Sequence, residues 1–561
     1  MKRKLAARRD PEIAPDEIFL DASNAPAFDR ARFEGRLEKP LSRGTFFYLS
    51  ATLALLFLIL VFRAWNLQVT NGEAFAAESA HNILEAKILF APRGVITDVN
   101  GIVLAENIED EDGTTRRNYP VPSLGQIIGY VSYPKKDASG AYYDTKETGI
   151  AGLEAEYDEH LSGENGQLLT ERDALGKVRS EGAIVRPKDG LALRLSIDAE
   201  LERHLARAIT DIAERRGFIA GAGVIMSVDT GAVRALVSYP SYDPNVMSNG
   251  APAETIASYS KNLGRPFLDH AARGVYAPGS IVKPFIASGA LTDGIITPST
   301  VIDDLGFISL PDPYNPGKSF IFKGWKALGL VDVREALAWS SDIFFYAVGG
   351  GFKNQKGLGI DRLNYWYRQF GLGSRTGIDL PGEADGLLPT PEWKREVFNE
   401  PWYLGDTYFT SIGQYSMQVT PLQMARAVAA VANGGKLFTP TLLADSSPMY
   451  STVPVTESSL KVVREGMRQT VTSALAQALN LSYVKVAAKT GTAQTGTRNQ
   501  YDNSWVIGFF PYENPQYAFT VVLERGPEGS GSQAVNVMRE LFDSLYLANS
   551  PYIGGSATTT P

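Results

Sequence analysis

From Thr45 to Phe62 the chain runs for eighteen residues without a charge, mostly apolar, between stretches that mix polar and apolar positions. As a helix this run would span roughly 27 Å, near the thickness of a bilayer core, and no polar face interrupts it. A transmembrane helix over 45–63 is predicted, with Arg63 able to snorkel, Trp65 at the interface and Tyr48 marking the other side. Ala74-Phe75-Ala76 resembles a signal cleavage site but lies far beyond the run, which is itself longer than a signal h-region, so a retained anchor is expected. Lys39 and Arg43, with Lys2, Arg3, Lys4, Arg8 and Arg9 behind them, favour a cytoplasmic N-terminus. The tail over 1–44, rich in charge and proline, is expected to be mobile.

Beyond the anchor, residues 64–200 alternate glycine turns with short β-like runs. Arg93 to Leu104 predicts a hairpin around Asn100-Gly101. Gly125 to Val131 predicts another strand, Lys135 to Glu147 a polar loop, Ala151 to Leu161 a helix, and Val185 to Ile197 a strand in which Leu191, Leu193 and Leu195 alternate. From residue 201 to 548 the pattern is that of one large unit. An amphipathic helix over Leu201 to Arg215 precedes a hairpin over Ala222 to Tyr239. Helical segments follow to about residue 480. Strands return at Val484 to Ala488, Ser504 to Phe510 and Tyr517 to Leu523, before a last helix over Ala534 to Leu547. A disordered tail is expected over 549–561. The fold class is α/β or α+β, with the opening hairpin and closing strands sharing one sheet flanked by helices.

Composition narrows the function. A chain of 561 residues is long enough for two or three domains, and 44% hydrophobic content says that most of it folds. The net charge of -8 gives no reason to expect nucleic acid as a partner. With no cysteine, disulfides and thiol catalysis are excluded. His81, His160, His204 and His270 show no ligand spacing, so no metal is expected.

Three weak signals carry candidate chemistry. In Tyr276-Ala277-Pro278-Gly279-Ser280-Ile281-Val282-Lys283, a helix starting at the serine would set Ser280 and Lys283 on one face. A hydroxyl beside an amine of depressed pKa suits a nucleophile and its base, although a capped core helix explains the same spacing. Ser340 and Asp342 can converge only from a loop or a helix start, since residues two apart do not share a helix face. At Lys489-Thr490-Gly491-Thr492, the hydroxyls of Thr490 and Thr492 share a strand face and Gly491 permits close approach to the backbone. Such a strand end suits a carboxylate-bearing ligand.

In that order the three clusters resemble the motifs of penicillin-recognising serine acyltransferases. Thr376-Gly377-Ile378-Asp379-Leu380-Pro381-Gly382-Glu383, Ser411-Ile412-Gly413-Gln414 and Val419-Thr420-Pro421-Leu422-Gln423 look like class B penicillin-binding proteins. So do Ala91-Pro92-Arg93-Gly94 and Gly152-Leu153-Glu154 upstream. Asp342, where asparagine is commoner, is similar to the elongation-type, penicillin-binding protein 2-like branch. The resemblance implies a penicillin-binding transpeptidase fold on a β-rich pedestal over 64–200, and a peptidoglycan D,D-transpeptidase that uses no cofactor. Ser280, Lys283, Ser340 and Asp342 would be catalytic. Lys489, Thr490, Gly491 and Thr492 would bind the D-Ala-D-Ala end of a stem peptide. Implied partners are β-lactams as covalent inhibitors and a SEDS-family membrane glycosyltransferase, at the inner membrane with the catalytic domain outside.

Two departures stand out. Only about twenty residues separate the first hairpin from Gly125, where relatives carry a larger pedestal insertion, and Ala327-Leu328-Gly329 replaces the branch's Gly-His-Gly. Alternatives to elongation are a division-type transpeptidase, a β-lactam sensor or scaffold that activates a glycosyltransferase, and a β-lactamase. A β-lactamase would need an efficient deacylating base and has no expected use for an anchor and pedestal. A sensor would be expected to carry a multi-span signalling segment.

Overall fold

A computed structural model describes residues 43–73, 84–109, 115–172, 178–312, 315, 317–496 and 500–553. The chain divides into two compact units, one of Met1–Glu85 with Thr170–Ser180, the other of Ala86–Leu169 with Glu181–Pro561. In the first, helix α1 (Arg43–Trp65) covers the predicted span and exposes apolar side chains such as Phe47, Phe57 and Phe62. It is long and apolar enough to cross a bilayer. The expected tail before Arg43, and Ala74-Phe75-Ala76, lie outside the described residues.

The second unit begins with a small sheet. Strands β1 (Ile96–Thr97) and β2 (Val103–Glu109) form the predicted hairpin. Asp98 fixes its turn by accepting the backbone N–H groups of Asn100 and Ile102 at 2.8 and 2.7 Å. With β3 (Thr115–Asn118) and β4 (Leu193–Arg194) the order is β4–β1–β2–β3. Beneath it Glu154, fully buried, receives Arg93 at 2.5 Å and Arg117 at 2.8 Å, both arginines being buried as well. The two resembling motifs upstream are thus the two halves of one ion cluster, and Arg117 is a third member that the sequence did not mark.

Several expectations for this region fail. Gly125–Ile128 is a helical turn, not a strand, and only Val131–Ser132 extends. All four turn residues are buried, and the Gln126 amide donates to Pro240 and Pro266 carbonyls at 3.1 and 2.8 Å, so tertiary packing overrides the β pattern. Lys135–Lys136 and Tyr142–Asp144 pair as a small hairpin within the expected loop. The helix over 151–161 is two short ones, Gly152–Glu156 and Asp158–Leu161. The strand over 185–197 breaks as well: Leu191 is exposed, and a side chain on Gly190 would strike the Leu161 carbonyl at 1.7 Å.

The main sheet comprises β5 (Ala220–Ser227), β6 (Val233–Tyr239), β7 (Ala487–Thr495), β8 (Tyr501–Phe510) and β9 (Tyr517–Pro527), in the order β6–β5–β9–β8–β7, antiparallel throughout. The opening hairpin of the 201–548 region and its closing strands therefore share one sheet, as the pattern predicts, and β7 forms an open edge. Period-two alternation divides the core. Ile225, Val506, Val521 and Phe519 face helices α2 (Ala199–Arg216) and α8 (Gln533–Leu547), while Val224, Trp505, Ile507 and Val522 face the helical layer that holds the site. That layer includes α3 (Lys283–Thr292), α4 (Val333–Ala338), α5 (Asp342–Gly350), α6 (Pro421–Ala432) and α7 (Glu457–Thr472).

Two joints fix the edges of this unit. The β1–β2 turn binds the start of α2: Asp98 Oδ2 accepts the Ala199 N–H at 3.0 Å, Val99 N–H donates to the Ile197 carbonyl at 2.9 Å, and Asn100 Nδ2 donates to Asp198 at 3.1 Å. At the other end, Tyr552 OH donates to Asp198 at 3.1 Å and its ring packs on Tyr517. The tail expected over 549–561 thus departs from expectation at its start, because the partly buried Tyr552 and Ile553 pack on the core; residues 554–561 lie outside the described part.

Candidate active site

The Ser280 segment is held by backbone contacts on three sides. Tyr276 exchanges hydrogen bonds with Val419 at 3.0 and 2.9 Å, the Gly279 N–H donates to the Gly413 carbonyl at 2.9 Å, and Trp505 Nε1 donates to the Ala277 carbonyl at 3.0 Å. Such close approach leaves no room for side chains. A Cβ on Gly413 would lie 2.2 Å from the Gly279 carbonyl oxygen, and one on Gly491 would lie 2.9 Å from Ile281 and 3.0 Å from the Pro278 carbonyl. A single 3₁₀ turn, Gly279–Val282, then leads into α3. Pro284 falls in the first turn of α3, where its missing N–H would have had no helical partner anyway.

Ser280 lies half-buried in this turn, and Lys283 opens α3 fully buried. The Lys283 ammonium donates to Asp342 Oδ1 at 2.7 Å, to the Ser340 carbonyl at 2.9 Å and to Ser340 Oγ at 3.2 Å. All three of these hydrogen bonds go to the second cluster rather than to Ser280. Ser340 and Asp342 converge as the spacing requires: Ser340 sits in the connection after α4 with a left-handed φ of 59°, and Asp342 is the first residue of α5. Ser341 between them is the cap of α5, accepting the Phe344 N–H at 3.0 Å.

The third cluster lies in the body of edge strand β7, not at a strand end, because the ladder with β8 runs on to Thr495. Lys489 is fully buried and donates to the Thr490 carbonyl at 2.8 Å. Thr490 is buried and Thr492 exposed, so only the second hydroxyl opens to solvent. Gly491 brings the strand against the Ser280 turn. A cleft of about 330 Å³, lined by Tyr276, Gln418, Thr495, Asn503 and Glu524, lies along the same strand past Thr492.

Two buried lysines beside one partly buried aspartate set the electrostatics. Burial pushes the Lys283 amine below its ordinary value, against the opposing pull of Asp342 and Asp304. Lys489 is pushed well below its own, by burial and then by the positive charge of Lys283. An amine that sheds its proton more readily than a free lysine, one turn after the half-buried Ser280, is equipped for proton transfer in acyl chemistry.

Two further groups carry no sequence signal. Asp304, 1% exposed, accepts the Ser341 hydroxyl, and nothing in Asp303-Asp304-Leu305-Gly306 announces it. His270, read only as an isolated histidine, meets Tyr276 OH at 2.5 Å and Glu524 at 3.5 Å, with Arg265 on the far side of Glu524 at 2.9 Å. Burial raises the Glu524 carboxyl, but His270 and Arg265 outweigh it and leave its pKa lowered. This network braces Tyr276 four residues before the serine.

Residues 221–543 match the family described as penicillin binding protein transpeptidase domain, and residues 110–195 match the penicillin-binding protein dimerisation domain. The chain is 30% identical to the peptidoglycan D,D-transpeptidase MrdA of Acinetobacter baumannii, over 90% of this chain and 88% of that one. Pseudomonas aeruginosa PBP2, solved in complex with WCK 5153, is 31% identical with a TM-score of 0.69, covering 85% of this chain and 100% of that one. A chain of a peptidoglycan synthase complex that coordinates polymerization and crosslinking is 29% identical with a TM-score of 0.71, over 93% and 100%. Likeness of this extent, through the small sheet as well as the large one, means that this chain belongs to the penicillin-binding protein transpeptidase family, in its PBP2 (MrdA) branch.

Proposed function

We propose that the chain is a membrane-anchored peptidoglycan D,D-transpeptidase of cell-wall elongation that works through an acyl-enzyme on Ser280. The observation that carries this reading is the meeting of Lys283 with Ser340 and Asp342, beside the half-buried Ser280 and within the field of Lys489. Lys283, once neutral, takes the Ser280 proton as Oγ attacks the carbonyl carbon of the penultimate D-alanine. The N–H groups of Ser280 and Thr492 receive the oxyanion, each such donor being worth about 3 kcal/mol in the transition state. As the C–N bond breaks, Ser340 passes the proton from Lys283 to the departing D-alanine amine, leaving an ester on Ser280. An amine from a second stem peptide attacks that ester, forming the cross-link and returning a proton to Oγ. Lys489, Gly491 and the Thr490 and Thr492 positions hold the terminal carboxylate.

The domain plan that accompanies this chemistry is a cytoplasmic tail over 1–44, an anchor over 45–63, a pedestal over 64–200 and a transpeptidase domain over 201–548. The anchor crosses the inner membrane once with its N-terminus in the cytoplasm, as the basic residues before it favour. The similarity to a synthase complex that joins polymerization to crosslinking supports a glycosyltransferase as partner; that it is a membrane enzyme of the SEDS family is what the family resemblance implies. Fluorescent penicillin tests the site directly. Wild-type protein is expected to be labelled and Ser280→Ala is not; equal labelling of both refutes the assignment. Purification from detergent is expected to bring the glycosyltransferase with it, and repeated recovery without any such enzyme counts against that partner.

A further inference from the structure

Asp304 ends a two-stranded ladder, Ile302–Asp304 with Gly329–Val331, outside all three motif clusters. Its carboxylate is fully engaged: Oδ1 accepts the Gly306 N–H at 2.9 Å and Oδ2 accepts the Ser341 hydroxyl. That same hydroxyl accepts the Phe344 N–H and so caps α5. One oxygen atom therefore ties a buried anion to the helix start that carries Asp342, directly after the left-handed Ser340. A serine does not favour that backbone conformation, which persists where surrounding structure over-determines it. Among the described contacts, the tie to Asp304 is the side chain-to-side chain bond that fixes the middle residue of the Ser340–Asp342 turn, beside its cap bond to Phe344.

We propose that Asp304 is a positioning residue for acyl transfer, which holds Ser340 and Asp342 on Lys283 by anchoring Ser341. The inference rests on the reading of Ser280 and Lys283 given above. It acts both through geometry and through charge. Three charged groups face the Lys283 amine: Asp342 from α5, Asp304 from the ladder and Lys489 from β7, with the Phe345 ring at 5.4 Å. Asp304 adds negative charge there and so favours the protonated amine. Removing that charge lets Lys283 become a base at lower pH.

Two substitutions in the full-length protein separate these effects. Asp304→Asn keeps the size and the ability to bond Ser341 but removes the charge. Ser341→Ala keeps the charge but removes the tie. The measurement is the second-order rate constant for acylation by fluorescent penicillin from about pH 5 to 9, with a thermal melt of each variant. In Asp304→Asn the acidic limb of the profile is expected to move to lower pH, which a merely structural role would not produce. Ser341→Ala is expected to acylate about 10- to 100-fold more slowly below its melting transition, as loosened positioning predicts. An unmoved profile at wild-type rate in Asp304→Asn overturns the inference. So does a Ser341→Ala rate within about twofold of wild type, well below the effect expected of lost positioning. Wild-type protein that takes no label at Ser280 would instead remove the reading on which the inference rests, and the Ser280→Ala control tells the two failures apart.

Discussion

Lys283 is a cation in a place that penalises cations. With Asp342 at 2.7 Å and Ser340 supplying two oxygens, its charged form is tolerated, and burial still leaves the amine easier to deprotonate than an ordinary lysine. Acylation should therefore rise as pH increases through a value below the lysine norm, because only the neutral amine accepts the Ser280 proton. Lys283→Arg tests this: a guanidinium can donate to Asp342 but cannot act as the base, and the penicillin acylation rate is expected to fall by about 10²- to 10⁴-fold. Retention of most of the rate would exclude Lys283 as base. At this scale the sequence was informative where the chemistry is local. Residue type and spacing marked Ser280, Lys283, Ser340, Asp342 and Lys489 only as candidates; the order of their three clusters, through the family resemblance, joined them, and Lys283 does meet Ser340 and Asp342. Asp304, Arg117 and Glu524 were not, since each acquires its partner from a distant segment and sits in an undistinguished local pattern.

Among the elements, those with strong periodicity and caps matched expectation. Helix α2 begins where Asp198 accepts the Glu200 and Leu201 N–H groups and ends at Gly217, and its apolar stripe covers the sheet. The turn at 125–128 and the ladders over 302–331 were missed because their residues answer to neighbours rather than to a period. Helix α2 also carries Glu202, whose carboxylate is fully buried, accepts the Leu236 N–H at 2.8 Å and is pushed up to about 8 by that burial. Since the folded value exceeds the unfolded one, this group's contribution to stability is complete below the unfolded value of 4.5 and is lost as pH rises through about 8. Glu202→Gln imitates the protonated form. The gap in melting temperature, variant minus wild type, is expected to widen between those two pH values and then level off. A constant gap would show that Glu202 is ionised in the folded protein.

At the scale of the whole molecule, the charged cluster under the small sheet matters most for endurance. Glu154 sits between Arg93 and Arg117 where water does not reach; removing it leaves the buried Arg117 without its carboxylate and Arg93 with only the partly exposed Asp158 at 2.8 Å. Glu154→Ala is expected to cost about 3–5 kcal/mol in equilibrium unfolding, far more than a surface pair would. A loss under about 1 kcal/mol would mean that the arginines find water or other anions.

The joint between Asp98-Val99-Asn100 and Ile197-Asp198-Ala199 gives the molecule a mechanical character. Three hydrogen bonds clasp the hairpin turn of the small sheet to the first turn of α2, and α2 lies along the sheet whose edge strand carries Lys489. A push or twist applied to the small sheet would thus reach the large sheet through a clasped joint rather than dissipate in a slack tether.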